Sequence, residues 1–241
     1  MAVKKLEYKG NIFLINYDII NNTQEKTILF LHGWGSNKEI MKQAFSRKLK
    51  DFKHIYIDMP GFGRSLNDNI LTTNDYKNIV NLFLETLNIN KENISILGHS
   101  FGGKVATLLE PKNLILCSSA GILEPKPLFV KLKIMFSKIL NLLGISKLSK
   151  YLRSKDVDKM SQNMYETFKN VVDEDFTDIF KKYNKNCLIF WGDQDKATTI
   201  ESGKIINNLI KKSYFVSYQG NHFFFINNSD RICAIIEEKL D

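Results

Sequence analysis

Ile94-Ser95-Ile96-Leu97-Gly98-His99-Ser100-Phe101-Gly102-Gly103 is a short apolar strand that runs into a Gly-x-Ser-x-Gly-Gly turn. It continues into the helix-compatible Lys104-Val105-Ala106-Thr107-Leu108-Leu109. A serine hydroxyl is a poor nucleophile in water, so chemistry at a serine needs the side chain lifted onto a sharp turn where a base can reach it. Glycines on either side of Ser100 leave room for that turn, and the helix start behind it offers free backbone N–H groups to a developing oxyanion. A short glycine pattern alone says little; the strand before it and the helical spacing after it make this one a nucleophile elbow.

Working outward from the elbow, Thr27 to Leu31, Leu114 to Cys117 and Cys187 to Trp191 are continuous apolar runs, the mark of strands buried on both faces. His54 to Ile57 and Tyr214 to Tyr218 are two further strands, and Lys9-Gly10-Asn11 separates two segments, Leu6 to Tyr8 and Ile12 to Ile20, that read as a hairpin. Helical stripes fall between them: Lys38 to Leu49, a helix through Leu87 opened by a Thr72-x-x-Asp75 capping box, Gly203 to Ile210, and Ser229 to Leu240. Pro111 ends the elbow helix early. Strands alternating with helices predict an α/β fold with a doubly wound, mostly parallel sheet, which puts the elbow at the carboxyl edge where such sheets bind ligands. From 121 to 184 the alternation lapses into helical patterns, so residues 1–120 and 185–241 read as the core and 121–184 as an inserted helical cap.

Ser100 needs a base, and the chain holds four histidines. His54 opens a strand, while His32 and His99 sit inside turns whose geometry their rings support. His222, in Gly220-Asn221-His222-Phe223 beyond the penultimate strand, is placed to swing over the elbow. An orienting carboxylate belongs between nucleophile and base in chain order. Asp193 and Asp195, just past the Cys187 to Trp191 strand, are both candidates.

Four separated motifs together resemble the α/β-hydrolase superfamily over essentially the whole chain. They are His32-Gly33-Trp34-Gly35, the loop Asp58-Met59-Pro60-Gly61-Phe62-Gly63-Arg64-Ser65, Gly98-His99-Ser100-Phe101-Gly102-Gly103, and Gly192-x-x-Asp195 followed by His222. The resemblance implies a Ser100, Asp195, His222 triad, with the acid on Asp195 as the last residue of Gly-x-x-Asp. It implies an oxyanion hole from the backbone N–H groups of Trp34 and Phe101, with Gly33, Gly98, His99 and Gly102 supporting the turns, and no cofactor or metal. Asp58 to Ser65 reads as scaffold. The chain departs from the family pattern in having Asn221 where glycine usually precedes the histidine. In motifs it is similar to the pimeloyl-carrier-protein methyl ester esterase and carboxylesterase group, and in layout to the meta-cleavage-product hydrolases. The latter usually carry Asn where His99 stands, which favours an acyl ester or thioester over C–C cleavage. A non-catalytic binding protein on the same fold is the alternative of another class.

With 241 residues and 44% hydrophobic content, the chain can bury one substantial core. The N-terminus has no apolar core of signal-peptide length, and no apolar run reaches bilayer length, so the expected location is cytoplasmic. Cys117, Cys187 and Cys233 sit among apolar residues without metal-ligand spacing. The net charge of +8 comes with no nucleic-acid motif, so nucleic acid is not an expected partner. The expected partner is a small acyl substrate; eight basic residues and no acid lie from Lys126 to Lys155, interleaved with apolar ones, and this basic cap is either a lid that packs its apolar face on the core with its lysines solvated, or a surface for an acidic acyl carrier protein or an anionic membrane.

Overall fold

The computed structural model describes residues 2–124 and 160–240. The basic run between Lys126 and Lys155 lies outside the described residues, as does most of the expected cap.

Eight strands form one sheet: β1 (Ala2–Tyr8), β2 (Asn11–Ile20), β3 (Lys26–Leu31), β4 (Phe52–Ile57), β5 (Ser95–His99), β6 (Asn113–Cys117), β7 (Asn186–Gly192) and β8 (Ser213–Tyr218). Their spatial order is β1-β2-β4-β3-β5-β6-β7-β8. β1 and β2 pair antiparallel, as do β2 and β4, and every other pairing is parallel. The hairpin between β1 and β2 turns on Lys9 at φ 51° and Gly10 at φ 72°. Two consecutive positive φ values give the turn the twist of its flanking strands.

The described helices are α1 (Lys38–Phe45), α2 (Thr73–Thr86), α3 (Phe101–Leu109), α4 (Gln162–Val172), α5 (Thr177–Lys182), α6 (Ile200–Leu209) and α7 (Ser229–Lys239). The parallel strands alternate their side chains between two cores. Leu29, Leu31, Ile96, Leu114, Leu116 and Ile189 pack with α2, α3 and α6 on one face. Ile28, Phe30, Leu97, Ile115 and Phe190 pack with α1 and α7 on the other. This double burial is why these strands read as unbroken apolar runs.

Helix α1 stops at Phe45 rather than running to Leu49. Leu49 keeps the apolar spacing and is buried, but it takes a left-handed φ of 50°, so its side chain continues the stripe after the helix has ended. Helix α3 ends at Leu109, with Glu110 in the left-handed conformation before Pro111. No strand occurs in the described part of 121–184; it supplies α4 and α5. No helix among the described residues is long and apolar enough to cross a membrane.

The loop from Asp58 to Ser65 is built around one carboxylate. Asp58 accepts from the Lys38 N–H at 2.8 Å, the Lys38 ammonium at 3.0 Å and the Arg64 N–H at 3.0 Å. A side chain at Gly63 would collide with it.

The capping box at α2 forms as the spacing predicts. Its Asp75 also accepts from the Tyr8 hydroxyl and the Lys9 ammonium, both at 2.8 Å, which ties the β1–β2 hairpin to the helix. Burial pushes the Asp75 carboxyl up, but the bonds from Lys9 and Thr72 outweigh it and hold the group at about 2. The folded value lies below the roughly 3.9 of an unfolded aspartate, so this stabilisation is complete above that value and fades as pH falls towards 2. In urea titrations Asp75→Asn is therefore expected to be less stable than wild type at pH 7, with the gap closing between about pH 4 and pH 2. A gap independent of pH contradicts this.

Candidate functional site

Chain order reverses direction across the sheet between β3 and β5: β3 is followed by β4 on one side, and β5 by β6 on the other. Ligands of open α/β sheets bind in the crevice that such a switch leaves at the carboxyl ends of the strands. His32-Gly33-Trp34 leaves β3 there, Ser100 leaves β5, Asp195 follows β7 and His222 follows β8. Trp34, Ser100, Phe101, Asp195 and His222 therefore lie at one sheet edge.

Ser100 has φ 51° and ψ −116°, a conformation that non-glycine residues rarely adopt. Three bonds hold it: its N–H donates to Cys117 O at 3.1 Å, and its carbonyl accepts from Gly103 and Ala120 at 3.0 and 3.1 Å. Strain of this kind persists only where surrounding contacts over-determine it. The glycines around it are required by close approach. A Cβ on Gly98 would strike the Gly102 carbonyl, and one on Gly102 would strike the Leu31 and His32 carbonyls. One on Gly33 would lie 2.9 Å from His99 Nδ1 and 3.1 Å from Ser100 Cβ. Among the described residues, neither the Trp34 nor the Phe101 backbone N–H has an acceptor within the protein.

His222 and Asp195 meet: Nδ1 lies 2.7 Å from Oδ2. The Asp195 side chain is fully buried and its other contacts are donors. Oδ1 accepts from the Ala197 and Thr198 N–H groups at 2.8 and 3.1 Å, and Oδ2 lies 3.0 Å from the Thr198 hydroxyl. Burial raises the Asp195 carboxyl, but the His222 and Thr198 bonds more than offset this and leave it below its ordinary value. Bonded this way, Nδ1 carries the proton and Nε2 is left as the free base. No hydrogen bond joins Ser100 to His222 among the described residues; such contacts are often long before substrate arrives.

Asp193 is a loop anchor. Its Oδ1 accepts from the Gly220 N–H at 3.0 Å, and Gln194 N–H donates to the Gly220 carbonyl at 2.9 Å, so the β7 loop pins the start of the histidine loop. The glycine of this loop stands one residue before Asn221, at Gly220 with φ 148°. Asn221 adds an Asx turn, its Oδ1 accepting from the Phe223 N–H at 2.9 Å.

The remaining histidines are buried and bonded to backbone groups. His32 donates from Nδ1 to Gly33 O at 2.8 Å and accepts at Nε2 from the Met59 N–H at 3.0 Å, and burial holds it at about 4. His54 lies 3.0 Å from Leu49 O and 2.9 Å from the Tyr56 hydroxyl. His99 does more than support its own turn: Nε2 donates to the carbonyl of His222 at 2.9 Å. Burial first, then the neighbouring His222, lowers it to about 3, so it stays neutral.

A cleft of about 470 Å³ opens beside Ser100, walled by Trp34, Phe101, Ile122, Phe168 and Val171. Its wall also carries Lys104 and Glu174. Neither residue belongs to a motif legible in the sequence. The only signal was a lone lysine in the otherwise apolar run of α3.

A strand, strained serine turn and helix at the switch point of a mostly parallel sheet, with a carboxylate–histidine pair over the same edge, define an α/β hydrolase. The chain matches the model of the Alpha/beta hydrolase family over residues 28–232 and belongs to that family. A pimeloyl-[acyl-carrier protein] methyl ester esterase of Pectobacterium carotovorum subsp. carotovorum (strain PC1) is 34% identical over 80 residues, 33% of this chain and 29% of that protein. The uncharacterized hydrolase YugF of Bacillus subtilis (strain 168) is 23% identical over 84% of this chain and 85% of its own. A thermophilic esterase from Thermogutta terrifontis superposes with a TM-score of 0.75 at 17% identity, over 100% of this chain and 98% of that one.

Proposed function

We propose that the protein hydrolyses acyl esters or thioesters through an acyl-enzyme on Ser100. The observation that carries this reading is the 2.7 Å bond between His222 Nδ1 and Asp195 Oδ2 at the edge that presents the strained Ser100. His222 Nε2 takes the Ser100 proton as Oγ attacks the acyl carbon. The carbonyl oxygen becomes an oxyanion facing the free N–H groups of Trp34 and Phe101. The tetrahedral species collapses, and the leaving alcohol or thiol departs with the proton held by His222. A water molecule, deprotonated by the same imidazole, then attacks the acyl-enzyme and releases the acid and Ser100. Asp195 holds the tautomer throughout.

Residues 121–184 are proposed as a cap, since α4 already contributes Phe168 and Val171 to the cleft wall. An acyl group delivered on a carrier protein falls within this reading, in keeping with the pimeloyl-[acyl-carrier protein] methyl ester esterases, whose match covers about a third of this chain.

A panel of short p-nitrophenyl esters, acyl thioesters and C–C cleavage substrates tests the proposal. Turnover of the esters or thioesters is expected; turnover of the C–C substrates alone contradicts it.

His99 is assigned a positioning role, because it joins the residue before the nucleophile to the backbone of the base. His99→Leu removes that bond, and a misplaced base costs roughly a hundredfold in turnover. The loss is expected in kcat with KM little changed and the melting temperature near that of wild type. An equal fall in stability and activity would make the residue merely structural.

A further inference from the structure

One buried network in the cleft has no part in the proposed chemistry. Lys104 sits one helical turn beyond Ser100 on α3, and its side chain is only 1% exposed. Its ammonium donates to the Val171 carbonyl at 2.5 Å, pairs with Glu174 Oε2 at 2.6 Å, and stands 4.7 Å above the Phe176 ring. Two of its protons go to acceptors, and the charge also rests against a ring face. Glu174 Oε2 also accepts from the Thr73 hydroxyl of α2. That oxygen is thus saturated by two donors that fix the carboxylate in place. Glu174 Oε1 has no partner among the described residues, and the side chain is 31% exposed on the cleft wall.

Burying a lysine with a carboxylate gains little stability over apolar residues of similar size, so such a pair on a substrate cleft calls for another role. Glu124, Asp173 and Lys196 also line the cleft; at this point of the wall the cation is used up inside and Glu174 is left as a fixed acceptor. An alkyl chain lying against it would strip water from Oε1 and return nothing. A carboxylate there would meet a like charge.

Resting on the reading of Ser100 as the nucleophile, we propose that Glu174, held by Lys104 and Thr73, is the specificity-determining residue of the cleft. It accepts a hydrogen bond from a hydroxyl or ammonium group on the substrate's acyl chain. Ser100, Lys104 and Glu174 line the same cleft, and a series of acyl chain lengths finds the one that brings a donor to Oε1.

The test compares p-nitrophenyl esters from pentanoate to octanoate, each plain or bearing a terminal hydroxyl, amine or carboxylate. Wild type should favour the best hydroxyl or amine ester over its plain partner by roughly tenfold in kcat/KM, mainly through KM, as one charge-assisted hydrogen bond supplies. The carboxylate ester should be the slowest of its set. Whichever of hydroxyl and amine is faster identifies a neutral or a cationic donor. In Glu174→Gln the amide oxygen must face the Lys104 and Thr73 donors, so the NH2 group faces the cleft. The preference should then fall to unity or below. Equal wild-type rates for plain and donor-bearing esters, or a preference that survives Glu174→Gln, overturns the proposal. The wild-type comparison stands even where the variant fails to fold. Hydrolysis of the esters without any preference defeats only this inference, whereas no hydrolysis of any of them defeats the hydrolytic reading beneath it.

Discussion

Ser100→Ala should lower hydrolysis of a short p-nitrophenyl ester by roughly three orders of magnitude or more while leaving the fold intact. The substitution removes a single oxygen. The contacts that hold the turn are backbone ones, the Ser100 N–H to Cys117 O and the Ser100 carbonyl to Gly103 and Ala120, and alanine keeps all of them. Alanine is no worse suited than serine to a φ of 51°, so the elbow should persist with its N–H donors in place. What should remain is the background catalysis expected of the proposed oxyanion donors, the Trp34 and Phe101 N–H groups, and of substrate binding. A melting temperature within a few degrees of wild type, together with the lost turnover, is the expected pair of results. Near-normal turnover would remove Ser100 from the mechanism.

The second large effect separates two acids two residues apart. Asp195→Asn should cost roughly 10⁴ in turnover through the wrong histidine tautomer. The Asp195 contacts say why. Oδ1 is claimed by two backbone N–H groups, Ala197 and Thr198, so the amide oxygen of an asparagine has to sit there. Its NH2 then faces His222 Nδ1, which becomes the acceptor. The proton moves to Nε2, and the imidazole presents a donor to Ser100 where a base is needed. Asp193→Asn has no such consequence, because an asparagine oxygen can still accept from the Gly220 N–H. Its effect should stay within about tenfold, in line with the loss of one loop contact. Steady-state kinetics on both variants decide the matter, and the reverse ranking would move the acid to Asp193.

The parts of the fold that were legible in the sequence are those whose physics is local. β3, β5, β6 and β7 are buried on both faces, so each is a continuous apolar run. β1 begins at Ala2, earlier than its apolar residues suggest, because an edge strand leaves Lys4 and Lys5 without a core to meet. The capping box at Thr72 is written within four residues, and so was visible. The second use of its Asp75, to hold the hairpin, depends on a contact 67 residues away and was not.

The candidate site divides in the same way. Ser100 with its glycines, and the chain order of Asp195 and His222, are encoded as motifs that recur because the chemistry needs them. The resemblance, not the local sequence, points to Asp195 over Asp193; Asp195 is bonded to His222 Nδ1 and Asp193 to the Gly220 N–H. The bond from His99 to the His222 carbonyl spans 123 residues, and that from Lys104 to the Val171 carbonyl spans 67. Neither leaves a local pattern beyond a polar residue in apolar company.

Peptide mapping after treatment with a fluorophosphonate tests the proposed mechanism most directly, since it reports which oxygen is activated. Wild-type protein should carry one phosphonyl group, on the peptide that contains Ser100. Labelling should be lost in Ser100→Ala and strongly slowed in Asp195→Asn. An unlabelled wild type, or a label on any other residue, would contradict the assignment of Ser100 as the nucleophile.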